Sequence, residues 1–148
     1  MSVFRFRMQN ILDMKEKLEE QAKTEFAQAQ RKLMEEQELL DDVIRRKEAY
    51  IAEGIRLRNE AISVREILDN KSAIEYTQGL EKEQRLAVNV AQKAVDAASR
   101  RMMEARAQTK TYEKLREHAF EAFVQEENKA ESKEIDQLNS YRASKNVQ

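Results

Sequence analysis

The chain has 148 residues, of which 37% are charged, with 27 basic against 28 acidic residues, two Gly, and no Pro, Trp or Cys. Sheet-containing domains need turn residues roughly every 8 to 12 positions, so this composition excludes them. The balanced charge removes the basic footprint of a nucleic-acid binder, and the lack of cysteine removes disulfides and thiolate metal sites.

Residues 3–20 read as helix, with Phe4, Met8, Ile11 and Leu18 on one side. This set joins the next stripe through Leu18, Ala22 and Phe26, two consecutive steps of four, which is a stutter in a coiled-coil repeat. The first residues lack the apolar stretch of a signal peptide, and Asp13 and Glu16 follow closely. Nowhere do about 18 apolar residues run together, as a membrane span requires. A soluble, cytoplasmic protein is expected.

From Ala22 the chain steps alternately by four and three: Ala22, Phe26, Ala29, Leu33, Glu36, Leu40, Val43, Lys47, Tyr50, Gly54, Leu57, Ala61, Val64, Leu68. All but Glu36, Lys47 and Gly54 are Ala, Leu, Val, Phe or Tyr, and most residues between them are charged or amide-bearing. Spacing that averages about 3.5 residues keeps one apolar stripe on a single partner helix. The first helix is predicted over 3–58.

Residues 59–72 form the predicted reversal. Asn59, Ser63, Asp69, Asn70 and Ser72 are poor helix-interior residues and good caps. Two capping boxes occur, Ser63 with Glu66 and Ser72 with Glu75, and either could start a second helix. A reversal near residue 66 would set Gly54 opposite Gly79.

A second helix is predicted over 73–143. Its stripe runs Val88, Ala91, Val95, Ala98, Met102, Ala105, Thr109, Tyr112, Arg116, Ala119, Phe123, and only Thr109 and Arg116 are not apolar. Two stripes of similar length about a weak point predict an all-α fold, a single antiparallel two-helix coiled-coil hairpin. Two separate helices in a parallel dimer are the rival arrangement. With the reversal near 66, the first helix reaches back to about residue 128 and leaves Asn128–Tyr141 without a partner. Ile135, Leu138 and Tyr141 lie three apart on that overhang, and an isolated helix of such length is marginal in water. Charge along the second helix is polarised: Arg100–Arg116 holds six basic and two acidic residues, and Glu117–Asp136 two basic and seven acidic.

No phosphate-binding glycine loop is present, and His118 is the single histidine, set among Lys114, Glu117 and Glu121. A two-helix rod offers no water-excluding pocket in which carboxylate pKa values are tuned. No catalysis, cofactor or metal is expected.

Phe4-Arg-Phe-Arg-Met-Gln-Asn-Ile-Leu, Glu60-Ala-Ile-Ser-Val, Tyr112-Glu-Lys-Leu-Arg-Glu and Glu131-Ser-Lys-Glu-Ile-Asp-Gln occur in that order along the chain. Together they resemble the FliJ family, coiled-coil proteins of the flagellar type III export apparatus. The resemblance implies a shaft in the pore of the hexameric export ATPase FliI, with contacts to the export-gate protein FlhA and to export chaperones. It implies a location in the cytoplasm, peripheral to the inner face of the membrane through these partners. For ATPase contact it points to the terminal end, with Phe4, Phe6, Ile135, Asp136, Leu138 and Tyr141; for gate contact, to Val43, Tyr50 and Leu80. The family tail often reads Lys-x-(Ile/Leu)-Asp-Glu and ends in Phe, where this chain has Gln137 and Tyr141. A structural coiled-coil spacer, or a stalk subunit of another rotary ATPase, are the alternatives.

Overall fold

The computed structural model describes residues 2–60 and 63–146. It contains two long helices, α1 (Gln9–Asn59) and α2 (Val64–Asn146), and no strand among the described residues. Within each compact unit the two helices pack antiparallel. The chain forms two compact units, Gln21–Met102, which contains the reversal, and Met1–Glu20 with Met103–Gln148, which contains the termini.

In the reversal unit the α1 stripe from Ala22 to Leu57 is buried or half-buried at every step, so the apolar repeat and the packed face coincide. The stripe ends there. Val64 and Leu68 are 71% and 56% exposed, and Ala61 lies outside the described residues. The two helices are separated only by residues 60–63, a tighter reversal than 59–72. Ser63 is the residue that caps α2. Its carbonyl accepts from the Glu66 and Ile67 amides at 3.1 and 3.4 Å, and its Oγ accepts from Glu66 N at 3.4 Å. Ser72 is an exposed residue inside the helix. Starting α2 at Val64 adds Ile67 and Asn70 to the α1-facing side ahead of Ile74 and Thr77, burial that a start at Ser72 would forgo.

The α2 seam of this unit runs Ile67, Asn70, Ile74, Thr77, Glu81, Gln84, Val88, Ala91, Val95, Ala98, Met102, all buried or half-buried in unbroken heptad spacing. Its first half is polar, and each polar group is partnered. Asn70 Nδ2 donates to the Tyr50 carbonyl at 2.8 Å, and Lys47 Nζ donates to both Glu81 carboxylate oxygens at 3.1 and 3.2 Å. Gln84 Nε2 donates to the Glu36 carbonyl at 2.9 Å and also to the Glu36 carboxylate. Thr77, fully buried, turns its hydroxyl back onto Ala73 and Ile74 carbonyls of its own helix at 3.0 and 2.9 Å. Among the described residues no buried side-chain nitrogen or oxygen lacks a partner. Sliding one helix past the other would separate these pairs, so they fix register in a way alanines cannot.

Gly54 meets Asn70, not Gly79. A Cβ at Gly54 would collide with Asn70 Oδ1, whereas at the exposed Gly79 it would meet nothing within 4 Å. Gly79→Ala should therefore stabilise the hairpin by the helix-propensity difference, about 0.8–1 kcal/mol. Gly54→Ala displaces Asn70 from its bond to Tyr50, a loss of about 0.5–1.5 kcal/mol that cancels the same gain. Thermal melts should show a higher midpoint for Gly79→Ala only, and for Gly54→Ala once Asn70→Ala is also present. A higher midpoint for Gly54→Ala alone would refute the Asn70 contact.

In the terminal unit the seam of α1 passes through Leu12, Lys15 and Glu19. Leu12 is 3% exposed, while Ile11 and Leu18 are 37% and 44% exposed. The expected stutter is absent, because Leu12 and Glu19 hold the heptad positions that their neighbours Ile11 and Leu18 imitate in the sequence. Lys15 suits its place: its Nζ donates to Gln108 Oε1 at 2.7 Å and lies 6.0 Å from the Tyr112 ring centroid. Buried Thr109 donates to the Lys15 carbonyl at 3.2 Å and to Ala105 O at 3.1 Å, tying α2 to the α1 backbone.

Residues 3–8 are not helical, contrary to the sequence expectation, and α1 begins at Gln9. The Gln9 amide donates to the Phe6 carbonyl at 3.1 Å in the turn that leads into it. What holds the preceding residues is the aromatic packing described next.

Candidate partner-binding end

Phe4 sits against α2 between two other phenylalanines. Its ring centroid is 5.3 Å from that of Phe120, edge-on at 77°, and 5.5 Å from that of Phe123, tilted at 52°. Phe120 and Phe123 are 6.5 Å apart at 27°. The Arg116 guanidinium lies 5.5 Å from the Phe4 centroid while its Nε donates to Gln9 Oε1 at 3.1 Å. Edge-to-face aromatic pairs and a cation over a ring each add order 1 kcal/mol to the burial of apolar area. This is enough to hold a segment without secondary structure. Phe6 is half-buried, and Phe120 remains 47% exposed.

Beyond this cluster α2 continues to Asn146, and every residue from Asn128 to Asn146 is exposed. Ile135, Leu138 and Tyr141 are 51%, 56% and 65% exposed. Asp136 lies among them, also exposed, and Lys145 Nζ sits 5.9 Å from the Tyr141 centroid one turn on. The terminal unit thus gathers Phe4 and Phe6 against α2, while Ile135, Asp136, Leu138 and Tyr141 stand on a length of α2 that α1 does not cover.

Val43, Tyr50 and Leu80 lie in the reversal unit and are half-buried. Val43 and Tyr50 are α1 seam positions, and the Tyr50 carbonyl carries the Asn70 bond. Nearby carboxylates are tuned by their partners. The Lys47 hydrogen bond holds the Glu81 carboxyl below its ordinary range, with Arg85 adding to it, and hydrogen bonds from Lys32 and then Gln84 do the same for Glu36. Both stay charged at neutral pH, as structural ion pairs do. No group of three or more His, Cys, Asp or Glu side chains among the described residues has metal-binding geometry.

Phe120 and Arg116 are site residues that sequence reasoning missed as such. Phe120 falls outside the heptad stripe, so only its closeness to Phe123, in a chain with five phenylalanines, could have flagged it.

Over residues 4–148 the chain matches the family of flagellar FliJ proteins. It belongs to the FliJ family. Its two long helices are therefore those of a coiled-coil protein of flagellar type III export, a family of non-catalytic components of the export apparatus. The fold is similar to the solved structure of a YscO homologue, CT670, from Chlamydia trachomatis. That similarity has a TM-score of 0.51 and 21% identity, and covers 99% of this chain and 100% of that one. No curated protein matches the chain. No helix among the described residues is long and apolar enough to cross a membrane.

Proposed function

We propose that this FliJ-family chain is a non-enzymatic coupling element that docks its terminal end in the ring of the export ATPase FliI. In this reading it links the ring to the gate protein FlhA and to export chaperones, and it sits at the cytoplasmic face of the membrane only through those partners. The observation that carries the reading is the uncovered stretch of α2, Asn128–Asn146, fully exposed yet helical to its end. A helix segment with no partner in its own chain gains little from packing, and a binding surface supplies what is missing.

Chemistry favours a basic partner surface. Glu127, Glu131, Glu134 and Asp136 accompany the apolar Ile135, Leu138 and Tyr141. Charge complementarity would orient the end in the ring while the few apolar contacts hold it. Gate contact falls to Val43, Tyr50 and Leu80, through the edges they leave uncovered.

The experiment is a titration of purified export ATPase with the full-length chain across salt concentrations. Saturable binding and faster ATP hydrolysis are expected, with affinity falling as salt screens the carboxylates and with no hydrolysis by the chain alone. Absence of binding at low salt would overturn the reading.

A further inference from the structure

The segment ahead of α1 carries a chemistry of its own. Residues 2–7 read Ser-Val-Phe-Arg-Phe-Arg, alternating aromatic and basic side chains with no acid. They lie along the part of α2 where acids dominate. Phe4, Arg5 and Arg7 share an open apolar groove with Ala119, Phe123 and Glu126. Ser2 extends the line to a second, shallow groove shared with Ala130, Glu131 and Glu134.

The attachment rests on side chains. Among the described residues no backbone hydrogen bond joins residues 2–6 to α2; their one such bond leads into α1, from Gln9 N to Phe6 O. Val3 is 80% exposed, and Arg5 and Arg7 are exposed as well. The contact therefore rests first on Phe4, clasped by Phe120, Phe123 and Arg116, with half-buried Phe6 lining the same groove. A segment held by two half-buried rings, Phe4 and Phe6, and no backbone ladder opens locally far more readily than the helices it leans on.

We propose that residues 2–7 are a displaceable strap on the Phe120–Phe123–Glu126 surface of α2, and that this surface takes an extended partner segment in which aromatic and arginine side chains alternate. The strap is the occupant in cis and shows the chemistry the groove accepts: a ring for the Phe120–Phe123 cleft, with exposed arginines along the rim that Glu126 also lines. Removing it bares an aromatic and acidic face that leads directly into the uncovered acid-rich end of α2. The idea rests on the partner-docking reading for its biological role, and the strap's exchange can be measured without that partner.

A fluorescent peptide of the sequence of residues 2–8 tests the surface directly on the full-length chain. In the native chain the tethered strap competes at an effective concentration of order millimolar, so the peptide should bind weakly. Phe4→Ala should let it bind at least about tenfold more tightly, as expected if the strap covers the site about nine-tenths of the time. Adding Glu126→Lys should abolish that gain. Equal affinity for native and Phe4→Ala chains, or binding to neither, overturns the proposal, with circular dichroism confirming that Phe4→Ala keeps its helices.

A second arm leaves the cluster intact. Because the native chain has no cysteine, Ser2→Cys with Ala130→Cys can be bridged by a cleavable thiol-reactive linker, closing the strap in place. Bridged protein should bind the export ATPase about tenfold more weakly than the same sample after reduction. Equal binding before and after reduction overturns the strap. Binding in neither state rejects the docking reading, and the peptide titration then decides the strap by itself.

Discussion

Leu40→Asp should destabilise the hairpin by about 3 kcal/mol, whereas Leu39→Asp, one residue away, should cost no more than about 0.5 kcal/mol. The two leucines are chemically identical and differ only in phase. Leu40 is a half-buried seam position, and Leu39 is 50% exposed on the outer side of α1. Replacing Leu40 forfeits most of a leucine's burial, worth about 1.5–3 kcal/mol, and adds a carboxylate to the seam between Glu36 and Lys47, where Glu36 and Glu81 already take the hydrogen bonds of Gln84 and Lys47. Thermal melts followed by circular dichroism at 222 nm decide the matter. Equal midpoints for the two variants would show that the seam does not run through Leu40.

A chain ending at Glu127 should keep the α1–α2 packing and lose most of its stimulation of the export ATPase. The structural half of this expectation follows from burial. All described residues after Glu127 are exposed, so removing them takes nothing from the core. The core members of the terminal unit, Leu12 and Thr109, and the Phe4–Phe120–Phe123 cluster all lie within the retained residues. The functional half follows from the proposed docking surface, since truncation deletes Glu131, Glu134, Ile135, Asp136, Leu138 and Tyr141 together. Hydrolysis by the ATPase with each chain, alongside each chain's melt, separates the two halves. A truncated chain that melts like the intact one and stimulates equally well would remove the tail from the docking element.

The same surface carries two distinct layers of inference. The uncovered helix supports docking, and the strap supports control over how much of the α2 surface is open to a partner. A strap that leaves only when a competing basic segment arrives would make docking of the terminal end depend on the partner's sequence as well as its charge. Phe4→Ala and the Glu127 truncation consequently act in opposite directions on partner affinity. The first exposes surface and the second removes it.

Several features were settled by the sequence alone. From Ala22 to Leu57 and from Val88 to Phe123, apolar residues recur at alternating steps of three and four among charged ones. Only one face of a helix satisfies such a period, so the fold class and most of the packed face could be read directly. The uncovered, acid-rich end of α2 was legible for the same reason, as a count of how far α1 could reach back.

Elsewhere the residues supported two answers, and tertiary packing chose between them. Asn70, Glu81 and Gln84 look like solvent-facing residues until Tyr50, Lys47 and Glu36 are opposite them to complete their hydrogen bonds. Ser63 and Ser72 each head a capping box, and the cap forms at Ser63, which adds Ile67 and Asn70 to the buried face. Ile11 matches Leu12 and Leu18 outranks Glu19 by hydrophobicity, yet the phase of a continuous helix gives the seam to Leu12 and Glu19. At the start of the chain, Phe4 and Met8 fit a helical period as well as any residues in α1. The non-helical path at Phe4 is decided by Phe120, Phe123 and Arg116, more than a hundred residues away in sequence. Local periodicity reports which side of a helix is apolar, but only a partner surface can determine that a segment gains more by lying along α2 than by closing its own helical hydrogen bonds.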